Sequence, residues 1–393
     1  MSTSWAGVFI LFLVGASTAL LLGKVPVVLP ILQSDFDLSL FQAGLLVSIF
    51  SLIAAALAAI IGAIADRFGQ LRVAVLGLVI ASLASIGGIF APSATLLMAS
   101  RVLEGLGFFL VSASIPPLMM QITAPEDRQK ALGMWGAFVP VGLSVVMLSG
   151  GLIADAIGWQ GLWLMTTTAL LMALGGLLIA TRNIQQLERP QNSIRLISTY
   201  QLLLLPGPLL MALIFIGYSA QFMTVTAFLP LILVQNYGWA VASAGLAAGV
   251  VVACNIIGNV ASGILLDRGL RRQTVILVAC CAMGLGTIGA FSELLPVGGR
   301  LAGAALFAAV GGLIPGALFA GTPNHTPHPS RLSAVNGLLM QGAALGQVSG
   351  PPIAAVFVGL LNGWNGLLWF TVPAAIVTAF LAMGLGKLEA TAR

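Results

Sequence analysis

Long apolar stretches follow one another along the whole 393-residue chain, separated by short polar ones. Each has 18 or more residues and is long enough to cross a hydrocarbon core of about 30 Å. The pattern predicts twelve spans, near 6–32, 40–62, 73–91, 95–121, 131–153, 159–181, 203–234, 240–264, 273–291, 297–321, 331–359 and 363–385. The fold class is therefore an all-α integral membrane protein with no soluble domain between its helices. The first span has no basic segment before it and no small-residue cleavage site, so it is expected to stay as a helix rather than act as a cleaved signal peptide.

Composition agrees, with 59% hydrophobic and 7% charged residues against roughly 25% charged in a soluble domain. The three cysteines, Cys254, Cys280 and Cys281, all fall within expected spans, where their spacing suggests neither a disulfide framework nor a metal site. No cofactor is expected. Thirteen of the sixteen Lys and Arg lie in alternate loops or the C-terminal tail, and by the positive-inside rule those loops and both termini are cytoplasmic. The net charge of +5 thus sets orientation in a plasma or bacterial inner membrane and is no sign of nucleic-acid binding.

The chain repeats itself. "GAIADRFGQLR" (62–72) answers to "GILLDRGLRR" (263–272), which places Asp66 and Asp267 201 positions apart. "LPIL" (29–32), "IP" (115–116) and "GWQGLW" (158–163) recur as "LPLIL" (229–233), "IP" (314–315) and "GWNGLLW" (363–369). This divides the chain into a six-span half over 1–181, a cytoplasmic linker over 182–200 and a second half over 201–393. Two parallel repeats of this kind are one architecture of secondary transporters, with the substrate site near the bilayer midplane between them.

The residues also carry a family resemblance. Gly62, Asp66, Arg67 and Gly69 form G-x-x-x-D-R-x-G, Gly263, Asp267 and Arg268 a partial copy, and Arg101, Gly105 and Gly107 form R-x-x-x-G-x-G. Together they resemble the major facilitator superfamily over essentially all twelve spans. The resemblance implies that Gly62, Asp66, Arg67, Gly69, Asp267 and Arg268 latch the two halves in one state of an alternating-access cycle. A carboxylate at a helix end is suited to that, because it can accept from the free N–H groups of a neighbouring helix. The fifth span, "GAFVPVGLSVVMLSGGLIAD" (136–155), keeps Gly150 and Gly151 but lacks the Gly-Pro pair of antiporters and drug exporters; "GQVSGPP" (346–352) matches that pattern better. This departure argues against a drug exporter.

Lys24, Arg101 and Arg300 are the cations left within spans or near an outer helix end. A Lys or Arg at a helix centre costs roughly 2.5–3.5 kcal/mol on insertion scales, so such groups usually face a cavity or a partner. At 1.5 Å per residue Lys24 and Arg101 share a depth of about 9–12 Å below the outer surface. Repeat shifts relate Arg101 to Arg300 and Lys24 to Thr224. In the facilitator fold the first, fourth, seventh and tenth helices line the cavity, so the resemblance puts Lys24, Arg101, Thr224 and Arg300 around one aqueous pathway. Such a cluster would bind a small organic or inorganic anion, with the arginine fork gripping an oxyanion and lysine adding a movable charge.

Glu104 is the one acid well inside a span, three residues after Arg101 and on the same helix face. It is a partner for Arg101 and a proton-coupling candidate. Tyr218, Gln221, Asn255, Asn259 and Gln341 supply further candidate substrate contacts, each of which could instead be interhelical glue. His325 and His328 fall in a cytoplasmic stretch, away from any catalytic arrangement. No Walker sequence, metal cluster or nucleophile–base pair points to an enzyme.

The function these features predict is a secondary transporter of a small organic or inorganic anion, with Glu104 as the candidate for coupling to protons, working as a monomer in the lipid bilayer. The cationic cavity and short loops resemble bacterial anion carriers, including those for cyanate. The alternative on the same fold is a multidrug, metabolite or siderophore exporter.

Overall fold

The computed structural model describes residues 3–127, 131, 134–182, 205–292, 294–326 and 332–391. Among these residues twelve helices are long and apolar enough to cross a membrane. In chain order they are α1 (Trp5–Asp35), α2 (Leu40–Ala58), α3 (Gln70–Ile89), α4 (Ala94–Gln121), α5 (Met134–Ile157), α6 (Gln160–Ala180), α7 (Pro206–Tyr237), α8 (Val241–Asp267), α9 (Arg272–Phe291), α10 (Val297–Gly321), α11 (Val335–Leu360) and α12 (Gly366–Thr391). The expected linker, apart from Arg182, lies outside the described residues, as does His328.

Local chemistry sets the helix ends. Ser39 and Gln42 close a capping box at the start of α2, Ser93 accepts from the Leu96 N–H at the start of α4, and Pro206 opens α7 where no intrahelical N–H is needed. Gly238, in the left-handed region, ends α7. The expected loop over 62–72 is instead almost entirely helical. The helix that carries α2 runs on to Phe68, α3 begins at Gln70, and the reversal is left to Gly69 at φ +94°. Its repeat counterpart Gly269 has φ +87° between α8 and α9, so the two halves turn the same corner with the same residue type.

Packing carries the same repeat. α1 packs on α5 and α6, α2 on α4, and α3 on α4 and α6; α7 packs on α11 and α12, α8 on α10, and α9 on α10 and α12. Each pairing in one half recurs six helices later. The halves meet where α5 packs on α8, α2 on α11, and α1 on α7.

This seam is closed at the end of the bundle away from the termini, here called the distal end. Gln235 Nε2 on α7 donates to Gln33 Oε1 on α1 at 3.0 Å. Nearer the middle of α2 and α11 the seam continues, with Gln341 Nε2 donating to the Ala55 carbonyl at 3.0 Å and Ser51 donating to Gln347 Oε1 at 2.5 Å. Gly151 brings α5 so close to α8 that an added Cβ would meet the Ala242 backbone at 2.5 Å.

Candidate functional site

The first half holds a fully buried ionic cluster. Lys24 on α1 donates to Glu104 Oε1 on α4 at 2.5 Å, and Arg101 Nη1 donates to the other carboxylate oxygen, Oε2. One carboxylate therefore serves two cations. The Lys24 ammonium also donates to Ser85 Oγ on α3 at 3.0 Å and lies 4.3 Å from the centre of the Trp163 ring on α6. Thr166 Oγ1, also on α6, is 3.5 Å away.

The local sequence explains the arrangement. Arg101 and Glu104 are three apart on one helix, so both point to the same face. Ser85, Trp163 and Thr166 come from α3 and α6, the helices that pack against each other behind α1 and α4. Phe50 on α2 covers the other side of the guanidinium, 4.6 Å from its carbon. Trp163 is stacked edge-on against Trp159 at 5.1 Å, and Trp159 Nε1 donates to Asp35 at the distal end of α1. Aromatic rings thus cap the cluster on the distal side.

Lys24, Arg101 and Glu104 carry a formal charge of +1 among them when all are ionised. Arg101 Nε and Nη2 are buried without a hydrogen-bond partner, and so is Trp163 Nε1. Buried polar atoms of this kind are uncommon enough to mark a place where groups re-pair or something binds.

The expected ring of Lys24, Arg101, Thr224 and Arg300 around one pathway does not form. Lys24 and Arg101 are enclosed by α1, α2, α3, α4 and α6 of the first half. Arg300 is half-buried at the distal rim, where Nε donates to the Leu295 carbonyl at 3.0 Å and the guanidinium lies over Tyr237 at 5.6 Å. There it borders a cleft of about 650 Å³ that Gln33, Asn236 and Trp364 also line. The physical reason is depth: Arg300 is only three residues into α10, so its long side chain reaches the rim. Thr224 is buried in α7 with its hydroxyl unpartnered.

The remaining expected contacts divide. Asn255 Nδ2 donates to Tyr218 Oη at 3.0 Å and to the Ala308 carbonyl at 2.9 Å, and Asn259 donates to Asn255 Oδ1 at 2.9 Å. Those three tie α7, α8 and α10 together. Gln341 is spent on the seam. Gln221 donates to the Gly217 carbonyl at 2.8 Å but keeps its buried Oε1 free, three residues from the free Thr224 hydroxyl. Sequence reasoning missed Ser85, Trp163, Thr166 and Phe50, because a serine, a threonine or an aromatic ring in an apolar span carries no signal until its neighbours are known.

Of the expected latch, Gly62, Asp66 and Arg67 lie in the helix that carries α2, but their side chains fall outside the described residues. Asp267 and Arg268 are exposed at the end of α8. His325, in the turn after α10, is tied to the bundle. Its Nε2 lies 3.0 Å from Glu389 Oε1, an atom that also accepts from Arg272 Nη1, so the turn after α10 is tied to the ends of α9 and α12.

Comparison with known proteins fits this architecture. The chain is 32% identical over 136 residues to the methylenomycin A resistance protein of Streptomyces coelicolor, covering 34% of this chain and 28% of that protein. It is 31% identical over 153 residues to the puromycin resistance protein pur8 of Streptomyces alboniger, covering 38% and 30%. With the quinolone resistance protein NorB of Staphylococcus aureus the identity is 26% over 147 residues, covering 37% and 32%. The chain thus spans about a third or less of the length of these curated relatives. Their names lend no support to the expected cyanate or small-anion branch.

Among solved structures, a bacterial homolog to the human lysosomal transporter Spinster, in an inward-facing and unoccupied conformation, superposes with a TM-score of 0.75 at 17% identity, covering 97% of this chain and 96% of that one. Its inward-facing occupied form gives 0.72 at 18% identity, covering 97% and 94%. At those identities the likeness is one of fold. The profile described as Major Facilitator Superfamily matches residues 7–327 and 211–393, and with twelve spans packed as two repeated halves, this chain belongs to that superfamily of membrane transporters.

Proposed function

We propose that the protein is a proton-coupled exporter of small organic molecules, with Glu104 as the coupling carboxylate. The observation that carries this reading is the sharing of Glu104 by Lys24 and Arg101 inside the first half. Both cations are engaged there, behind helices, so neither is presented as a free charge toward the second half. A carboxylate between two cations is a group whose protonation rearranges its surroundings, because each cation then loses its partner.

The resistance proteins among the relatives support export over uptake. The distal closure of the seam, with both termini on the cytoplasmic side of the inner membrane, would make this an inward-facing state. Gln221 Oε1 and the Thr224 hydroxyl are buried polar atoms on α7 without a partner, available to meet a substrate. Asp66 and Arg67, with Asp267 and Arg268, would hold the cytoplasmic ends in the opposite state.

A second reading, a small-anion carrier, is favoured by one observation, the unpartnered Nε and Nη2 of Arg101 in a cluster of net positive charge. Proteoliposomes with a pH-sensitive dye distinguish the two. Exporter function predicts substrate-induced proton movement with puromycin, methylenomycin A or a quinolone, lost in Glu104→Gln. Proton-independent uptake of cyanate or a small carboxylate, lost in Arg101→Gln, would replace the exporter reading with the carrier.

A further inference from the structure

The helix that carries α2 is interrupted deep in the bundle. Ile49–Ser51 wind as a single 3-10 turn between α-helical Leu40–Ser48 and Leu52–Phe68. A 3-10 turn within a helix often marks a hinge. Ser48, just before it, has a buried hydroxyl without a hydrogen-bond partner.

This turn touches both the ionic cluster and the seam. The fully buried Phe50 ring lies over the Arg101 guanidinium and packs 5.5 Å from the Phe108 ring. The Phe50 carbonyl oxygen sits where a Cβ on Gly105 would be, so only glycine at that position lets the turn press against α4. The next residue, Ser51, donates to Gln347 of the other half at 2.5 Å. Two consecutive residues therefore connect Arg101 to α11.

We propose that the 3-10 turn Ile49–Ser51 couples the protonation state of Glu104 to opening of the α2–α11 seam, with Phe50 and Ser51 as positioning residues. The proposal rests on the proton-coupled reading of Glu104. The ionisable groups facing Glu104 are Lys24 from α1 and Arg101 from α4; α3 and α6 present Ser85, Thr166 and Trp163, and α2 presents Phe50, none of which titrates in the working range. When Glu104 is neutral, two cations lose their counter-charge and the contact left to the guanidinium is the Phe50 ring, an attraction that strengthens without water. Arg101 and Phe50 then move together. Close-packed interiors switch between discrete arrangements rather than deform smoothly, so this shift re-forms the turn and moves Ser51 relative to Gln347.

The test uses the full chain in lipid nanodiscs, with Cys254, Cys280 and Cys281 changed to Ser and spin labels at Gln160→Cys and Leu294→Cys. Both labelled positions are exposed at the distal end, one in each half. Double electron–electron resonance reads their separation from mildly alkaline to mildly acidic pH without any substrate. In the otherwise unmodified chain the distance distribution shifts with pH, and Glu104→Gln fixes it. Phe50→Leu and, from the seam side, Ser51→Ala lose the shift, while Phe50→Tyr, which keeps the aromatic face, retains it. A shift in both Phe50→Leu and Ser51→Ala equal to that of the parent overturns the relay and leaves proton coupling standing. An unresponsive parent overturns proton coupling, and the relay with it.

Discussion

The Lys24 ammonium donates to Glu104 at 2.5 Å across 80 positions of sequence, with both side chains fully buried. Breaking a buried ion pair by removing one partner costs about 3–5 kcal/mol, because the other charge is left uncompensated. Glu104→Ala is therefore expected to lower the thermal stability of the detergent-solubilised protein by an amount in that range. Lys24→Met combined with Glu104→Ala should cost less than the sum of the two single variants, though Arg101 then stays buried without a counter-charge, and a double-mutant cycle of melting curves over both singles and the double checks it. Additive effects would mean that the two groups do not interact.

Arg300→Gln is expected to leave transport and proton coupling close to those of the parent, since Arg300 lies at the distal rim over Tyr237. Lys24→Gln should abolish coupled transport. Dye-based flux in proteoliposomes separates them, and equal loss in both variants would return Arg300 to the transport pathway.

Gln341→Leu removes the donor to Ala55 across the seam. Interhelical hydrogen bonds of this kind average about 0.6 kcal/mol in a membrane protein, so folding stability should barely change. The closed seam, by contrast, loses a contact that is expected to break when α2 and α11 part. The variant should label faster than the parent at a cysteine placed at Gly44, which packs against the Pro351 backbone in the seam.

Gly151→Val puts a branched side chain where α5 meets the Ala242 backbone. The closed distal seam should become inaccessible while each half remains folded. Loss of flux with little change in melting temperature is the expected result, and full activity would show that α5 and α8 need not approach this closely.

Burial, and then the neighbouring Arg272 charge, holds His325 below the ordinary histidine pKa of about 6.5. The folded protein therefore favours the neutral ring, and the unfolded chain binds more protons beneath that pH. This contribution to stability is fully present above about 6.5 and is lost as the pH falls below it. Melting temperature should fall on mild acidification, with a shallower slope in His325→Gln.

The sequence by itself determined the twelve spans, because each must be apolar over a fixed length, and the repeat, because like halves keep like residues at turns such as Gly69 and Gly269. It also determined that Glu104 and Arg101 share a face, since three residues separate them on a helix. The tertiary structure alone decided that Lys24 completes that pair rather than facing a pathway with Arg300. Partners on α1, α3, α4 and α6 are brought together by the packing order of helices, and no local spacing encodes that order. The same holds for the turn at Phe50 and Ser51: an apolar run hides a 3-10 break, and only the press of α4 against it and of α11 beyond it shows what the break connects.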